Sequence, residues 1–181
     1  MNVVKAFSLI VMMCILTIGT AQNSNSFNKQ NAKEMENLKI ALKWGESTKN
    51  GDWDTFNALT SDDFQLIGPS PEPLNKEAYL TWIKSVVSAN DKHDNNIELT
   101  EIAKDVYKGT VQMEGKHTRD WDLSFMGMGV IPATNKSWKN PREEVTVTMR
   151  KGKIIKCEVV VPENGGIVGI LSQLGIEIKV N

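Results

Sequence analysis

Cysteine and histidine are scarce in this chain of 181 residues, two of each, and neither sign of charge is concentrated anywhere. Cys14 lies in an apolar N-terminal run, leaving Cys157 alone in the part expected to fold. An intramolecular disulfide is thereby excluded there, and stability must come from an apolar core. His93 and His117 are far apart, with no ligand spacing around them, so no metal is expected. Lys and Arg number 21 against 22 Asp and Glu, with no basic run, which removes the field that would attract a nucleic-acid backbone. A nucleophile elbow, a phosphate-cradling glycine loop and a dinucleotide fingerprint are also missing, and no cofactor is expected.

What is present begins with an address. Lys5 precedes an apolar run from Ala6 to Ile18, and Gly19-Thr20-Ala21 supplies the small residues of a cleavage site. The pattern predicts a secretory signal peptide over 1–21 and a secreted or periplasmic protein. The run is shorter than the roughly 20 residues that span a bilayer, so no permanent membrane anchor is expected. Met13 stands before Cys14 where lipidation needs a small residue. Removing 1–21 of 181 residues leaves 160, enough for one domain with a sizeable core. Residues 22–34 are rich in Asn, Ser and Gln and predict a flexible leader, with the folded domain over 35–181.

Periodicity then divides the domain in two. Met35, Leu38, Ala41, Leu42 and Gly45 recur at helical spacing. Asp52 is placed to cap a short helix carrying Trp53, Phe56 and Leu59, and Asn75 to cap a third with Tyr79, Leu80, Ile83, Val86 and Val87 on one stripe. Between these helices, residues 63–68 read as a brief strand ended by Pro69, Pro71 and Pro73. From Ile97 onward the period is two. Strands are expected over 97–103, over 107–121 with a bulge at Gly109 or Gly115, around Val145, Val147 and Met149, and over 153–161. Arg150-Lys151-Gly152 predicts a three-residue hairpin loop, and residues 167–174 a short closing helix. The fold class is α+β: a cone-shaped roll of curved antiparallel sheet wrapped around three N-terminal helices, open at one end as a pocket.

Several segments carry a resemblance. Gly115-Lys116-His117-Thr118, Phe125-Met126-Gly127-Met128 followed by Pro132-Ala133-Thr134-Asn135-Lys136, Gly152-Lys153-Ile154, and Gly169 to Gly175 with Gln173-Leu174-Gly175 resemble the SnoaL-like polyketide cyclases of the nuclear-transport-factor-2-like superfamily. The resemblance covers about residues 36–175. It implies a cone pocket and, in the cyclases, an aspartate acid/base a few residues after a Trp. Counting forward from Gly152, the Trp position holds Glu158 and the Asp position Pro162; counting back from Gln173, the Asp position holds Gly166. Neither count supplies an aspartate, and Glu163 is the acid nearby.

The candidate catalytic groups are therefore His117, Glu158 and Glu163. Val111, Met113 and Trp121 share a strand phase with His117 and Arg119, which predicts that both basic side chains turn inward. His117 there is either an acid/base or a ring satisfied by one hydrogen bond. Arg119 either binds a carboxylate or pairs with Asp120, Asp122 or Glu158. Glu143 and Glu144 precede a strand and are expected to face water. Tyr79, Trp82, Met113, Trp121, Met126, Met128 and Trp138 are candidate pocket walls that serve equally well as core. The apolar, glycine-rich stretch from Phe125 to Ile131 is expected to cover the pocket mouth. Two functions follow: binding of a small hydrophobic molecule, or cofactor-free acid/base catalysis on a small carbonyl compound. A homodimer through the uncovered sheet face is a further expectation.

Overall fold

The computed structural model describes residue 32 and residues 35–177. The expected signal peptide and nearly all of the expected leader lie outside the described residues. The chain divides into two compact units, 1–36 and 37–181, and the features below belong to the second.

Residues 37–50 are helical (α1), and Ala41, Trp44, Gly45 and Thr48 form a buried stripe at the i, i+3, i+4, i+7 spacing of one helix face. Leu38 and Leu42 flank that stripe and are half-buried. Gly45 sits so close to the sheet that a Cβ there would lie 2.8 Å from Cγ2 of Ile97. Helix α2 (Trp53–Leu59) is capped by Asp52, whose carboxylate accepts from the Thr55 amide at 3.0 Å. Helix α3 (Lys76–Ala89) is capped by Asn75 in the same way and buries Tyr79, Ile83, Val86 and Ala89.

The strands are β1 (Thr60–Ile67), β2 (Leu74–Asn75), β3 (Asn90–Ala103), β4 (Val106–His117), β5 (Trp121–Asp122), β6 (Val130–Ile131), β7 (Ser137–Lys139), β8 (Glu143–Arg150) and β9 (Lys153–Val160), with helix α4 (Gly166–Leu174) closing the domain. Seven of them form one sheet in the order β2-β1-β9-β8-β4-β3, with β7 beside β4; β5 and β6 pair apart from it. The α+β class and the wrapped sheet stand. The sheet is mixed rather than wholly antiparallel, because β1 runs parallel to β9. That pairing closes the sheet across the helices: one internal hollow takes its walls from α1, α3 and five strands.

Three local expectations are corrected. The β8–β9 hairpin turns on two residues, Lys151 and Gly152, both at positive φ, with Arg150 paired to Lys153. Strand β4 ends at His117, and Trp121 belongs to the separate β5. The register shifts of the β3–β4 ladder fall at Asp91/Asp94 and Glu101/Ala103, not at the glycines. Gly109 is instead a point of close approach, where a Cβ would lie 1.7 Å from the Glu98 carbonyl oxygen.

Candidate functional site

The sheet's inner face and helices α1 and α3 enclose a hollow of about 50 Å³. Apolar side chains make most of its wall, among them Leu66, Ile83, Ile97, Met113 and Val145. A single carboxyl, Glu143, interrupts them. It occupies the first position of β8, on the same phase as Val145, Val147 and Met149, and is 6% exposed. Alternation along the strand therefore turns it inward.

The chain end holds this carboxyl in place. Oε1 of Glu143 accepts from the Gly166 amide at 2.8 Å and from Nδ2 of Asn140 at 3.3 Å. Gly166 opens helix α4 at φ +58, a conformation an L side chain rarely adopts, and so presents its amide to the carboxyl. Burial pushes the Glu143 carboxyl above its usual range, while the Gly166 and Asn140 hydrogen bonds pull it back less strongly.

Trp82 and Pro69 separate this inner chamber from a second hollow of about 470 Å³ and belong to the walls of both. The outer chamber is bordered by Leu74, Ala78, Phe125, Met126 and Ile167. Its volume falls in the roughly 300–1,000 Å³ range of small-molecule sites, whereas the inner chamber admits only about one or two waters or a small substituent. The stretch expected to cover the mouth does border it: Ser124–Met126 is a 3-10 turn that leaves Phe125 48% and Met126 41% exposed. A separate open groove beside Lys92, Lys116 and Lys139 lies at the outer edge of β4 and β7.

The structure does not bring the expected catalytic groups together. His117 is 0% exposed but borders neither chamber. Its Nδ1 accepts from the Thr134 amide at 3.3 Å and lies 3.1 Å from the Thr134 hydroxyl, which puts the ring proton on Nε2. Nε2 meets no hydrogen-bond geometry among the described residues. The ring packs on Trp121, centroids 5.9 Å apart. Burial holds its pKa below the usual value, with the Arg119 backbone and the Asp120 carboxylate acting less strongly the other way. No carboxylate is hydrogen-bonded to it among the described residues.

Glu158 faces outward and pairs with Lys156 at 2.9 Å, because Cys157 and Val159 hold the inward phase of β9. Glu163 is exposed in the turn before α4. Arg119 also lies outside the hollow. Past the end of β4 the strand phase no longer applies, and its guanidinium binds the Ser88 and Asn90 carbonyls and the Asp91 carboxylate.

Of the expected walls, Tyr79, Trp82 and Met113 line the inner chamber and Trp82 and Met126 the outer. Trp121 and Trp138 are buried core whose indole N–H groups are spent on Ser85 (3.1 Å) and Asn90 (2.7 Å), and Met128 packs half-buried against that core. The residue of the hollow that was expected to face water is Glu143. Its signal was present, since the alternation of Val145, Val147 and Met149 continues back to it.

This arrangement has counterparts among solved structures. A protein from a Jannaschia species assigned as a SnoaL-like polyketide cyclase matches with a TM-score of 0.61 at 12% identity, over 80% of this chain and 95% of its own. IdmH of Streptomyces antibioticus, assigned as a polyketide cyclase, matches at 0.57 with 19% identity, over 77% and 99%. A Catenulispora acidiphila protein with a ketosteroid isomerase-like fold, in complex with trimethylamine, matches at 0.55 with 10% identity, over 78% and 96%. No family model matches the sequence, and neither does any curated protein. At such identities the likeness establishes the fold alone, the cone-shaped roll that the SnoaL-like polyketide cyclases among these structures share.

Proposed function

We propose that this chain binds a small, largely hydrophobic molecule in the two-chambered hollow, with its body in the outer chamber and one polar group reaching Glu143. The observation that carries the proposal is one buried carboxyl in the wall of a largely apolar cavity that holds no other ionised group. Export through the N-terminal segment and pairing of two copies through the outer sheet face belong to the same proposal; charge-then-apolar patterning supports the first. The test is calorimetric titration with 2-methoxynaphthalene, a neutral two-ring probe. Binding is expected, and Ala78→Trp, which fills the outer chamber, is expected to abolish it. Absence of binding to the native chain, or equal binding to the filled variant, would sink the reading.

The Glu143 carboxyl also favours a second reading, acid/base turnover of a carbonyl compound. A carboxylate in an apolar cavity takes the proton from the carbon next to a carbonyl, leaving an enolate and a carboxylic acid that can return the proton elsewhere. Deuterium uptake at the acetyl methyl of 2-acetylnaphthalene, whose α-carbon lies on a small substituent, should then be accelerated by the native chain and not by Glu143→Gln. Equal uptake with both proteins removes this reading and leaves binding intact. A role for His117 as the proton carrier has no support from its position.

A further inference from the structure

We infer that Asn95 is a specificity residue of this hollow: it selects neutral ligands that bring a hydrogen-bond donor, such as a hydroxyl, into the inner chamber. The inference rests on the binding reading above and names the chemistry at the ligand's inner end.

The orientation of Asn95 is fixed by its neighbour. The Thr48 hydroxyl gives its one hydrogen to the Gly45 carbonyl at 2.8 Å, so towards Asn95 it can only accept. The amide nitrogen of Asn95 therefore faces Thr48, at 3.0 Å. Its oxygen is left buried, with no hydrogen-bond partner among the described residues. A buried acceptor without a donor is costly, and the nearby side chains of the β3 and β4 inner face, Ile97, Val111 and Met113, have no donor to offer. Asn95 belongs to the wall of the inner chamber, so a small adjustment of its amide brings that oxygen to a donor placed there.

The rest of the wall narrows the chemistry. Neither chamber is lined by Lys, Arg or His, so a carboxylate or phosphate on the ligand meets no opposite charge. Glu143 in the inner wall opposes a second negative group. The inner chamber of about 50 Å³ excludes a ring but admits a hydroxyl. A hydroxyl brings the one hydrogen that Asn95 lacks and adds no negative charge beside Glu143.

The experiment compares three probes on the full chain by calorimetry: 2-naphthol, 2-methoxynaphthalene and 2-naphthoate. The methoxy compound can accept but cannot donate, which isolates the Asn95 contact. The expected result is 2-naphthol bound about tenfold more tightly than 2-methoxynaphthalene, and 2-naphthoate weakest of the three. Asn95→Ala should bring the first two within about twofold of each other while 2-methoxynaphthalene keeps its affinity. If that variant does not fold, Thr48→Val, which removes the hydroxyl that orients the amide, should lower the same ratio. Equal affinities for 2-naphthol and 2-methoxynaphthalene in the native chain would overturn the inference, as a trapped water on Asn95 would produce. So would a ratio that neither substitution changes. Failure of every naphthalene to bind counts against the binding reading instead.

Discussion

Glu143 and His117 are both buried, both ionisable and both moved from their ordinary pKa by burial, yet only one belongs to the site. Glu143 starts a strand whose inward phase faces a hollow, with one oxygen held by two donors. His117 ends a strand where the chain folds back on itself, held through Thr134 and covered by Trp121. Burial and a shifted pKa therefore describe two unlike things: a group poised beside empty space and a group absorbed into the core. Geometry separates them, since acid/base work needs a place for the reacting atom.

The sharpest way to break this contrast is His117→Ala. Removing a fully buried ring leaves a cavity and strips the Thr134 amide of its acceptor, so the unfolding free energy should fall by about 3 kcal/mol in denaturant titration. Affinity for 2-methoxynaphthalene, measured well below the denaturation midpoint, should stay within about twofold. A large loss of affinity with little loss of stability would reverse the roles assigned to the two ends of the domain. Gly166→Ala is the next largest effect, at about 1–2 kcal/mol, because φ +58 is unfavourable for an L residue and the new Cβ lies 3.1 Å from Val161. It also turns the amide away from Glu143, so the carboxyl should titrate still higher, as carbon-13 shifts of labelled Glu would report.

Much of the frame could be read in advance for plain reasons. The caps at Asp52 and Asn75 and the helical stripes are local features, and each survives folding; the change of period was expected at Ile97, and the strand begins earlier, at Asn90. What could not be read depended on where strands stop and slip. Arg119 was assigned inward by carrying the β4 phase two residues beyond the strand's end. Glu158 stood on a strand apolar on both faces, and the register shift at Thr148/Met149 helps set which face turns in. Glu143 is a different case: the alternation pointed it inward, but a glutamate at a strand start is usually solvated, and only the return of α4 over that end of the sheet gives its carboxyl an amide to bind. That contact spans 23 residues of sequence and has no local signature.

A smaller effect probes the Glu143 half of the comparison through pH. Its folded pKa lies above the unfolded carboxyl value of 4.5. The protonated form is thus the better-tolerated one: the associated stability is fully present below about pH 4.5 and is lost as pH rises through the folded pKa. Glu143→Gln keeps the hydrogen-bond acceptor without the charge. Its melting temperature relative to the native chain should climb with pH above 4.5 and then level off. His117 works in the opposite sense and below 6.5, since its folded pKa is depressed and acid must charge a buried ring. A melting difference that does not vary with pH would mean that Glu143 is solvated and that the inner chamber is wet.

The smallest effect is expected where the strand phase failed, at Arg119. Its guanidinium lies on the outside, bonded to two carbonyls and one exposed carboxylate, all at the junction of α3 and β3. Exposed pairs of this kind are weakened by salt and contribute little. Arg119→Ala should therefore lower the melting temperature least of the substitutions considered, and the loss should shrink as salt is added. The probe affinities should not change, because no part of the side chain reaches either chamber. If Arg119→Ala instead made 2-naphthoate bind differently from the neutral probes, a positive charge would be acting on the ligand after all. The claim that both chambers are uncharged apart from Glu143 would then fail at its weakest point.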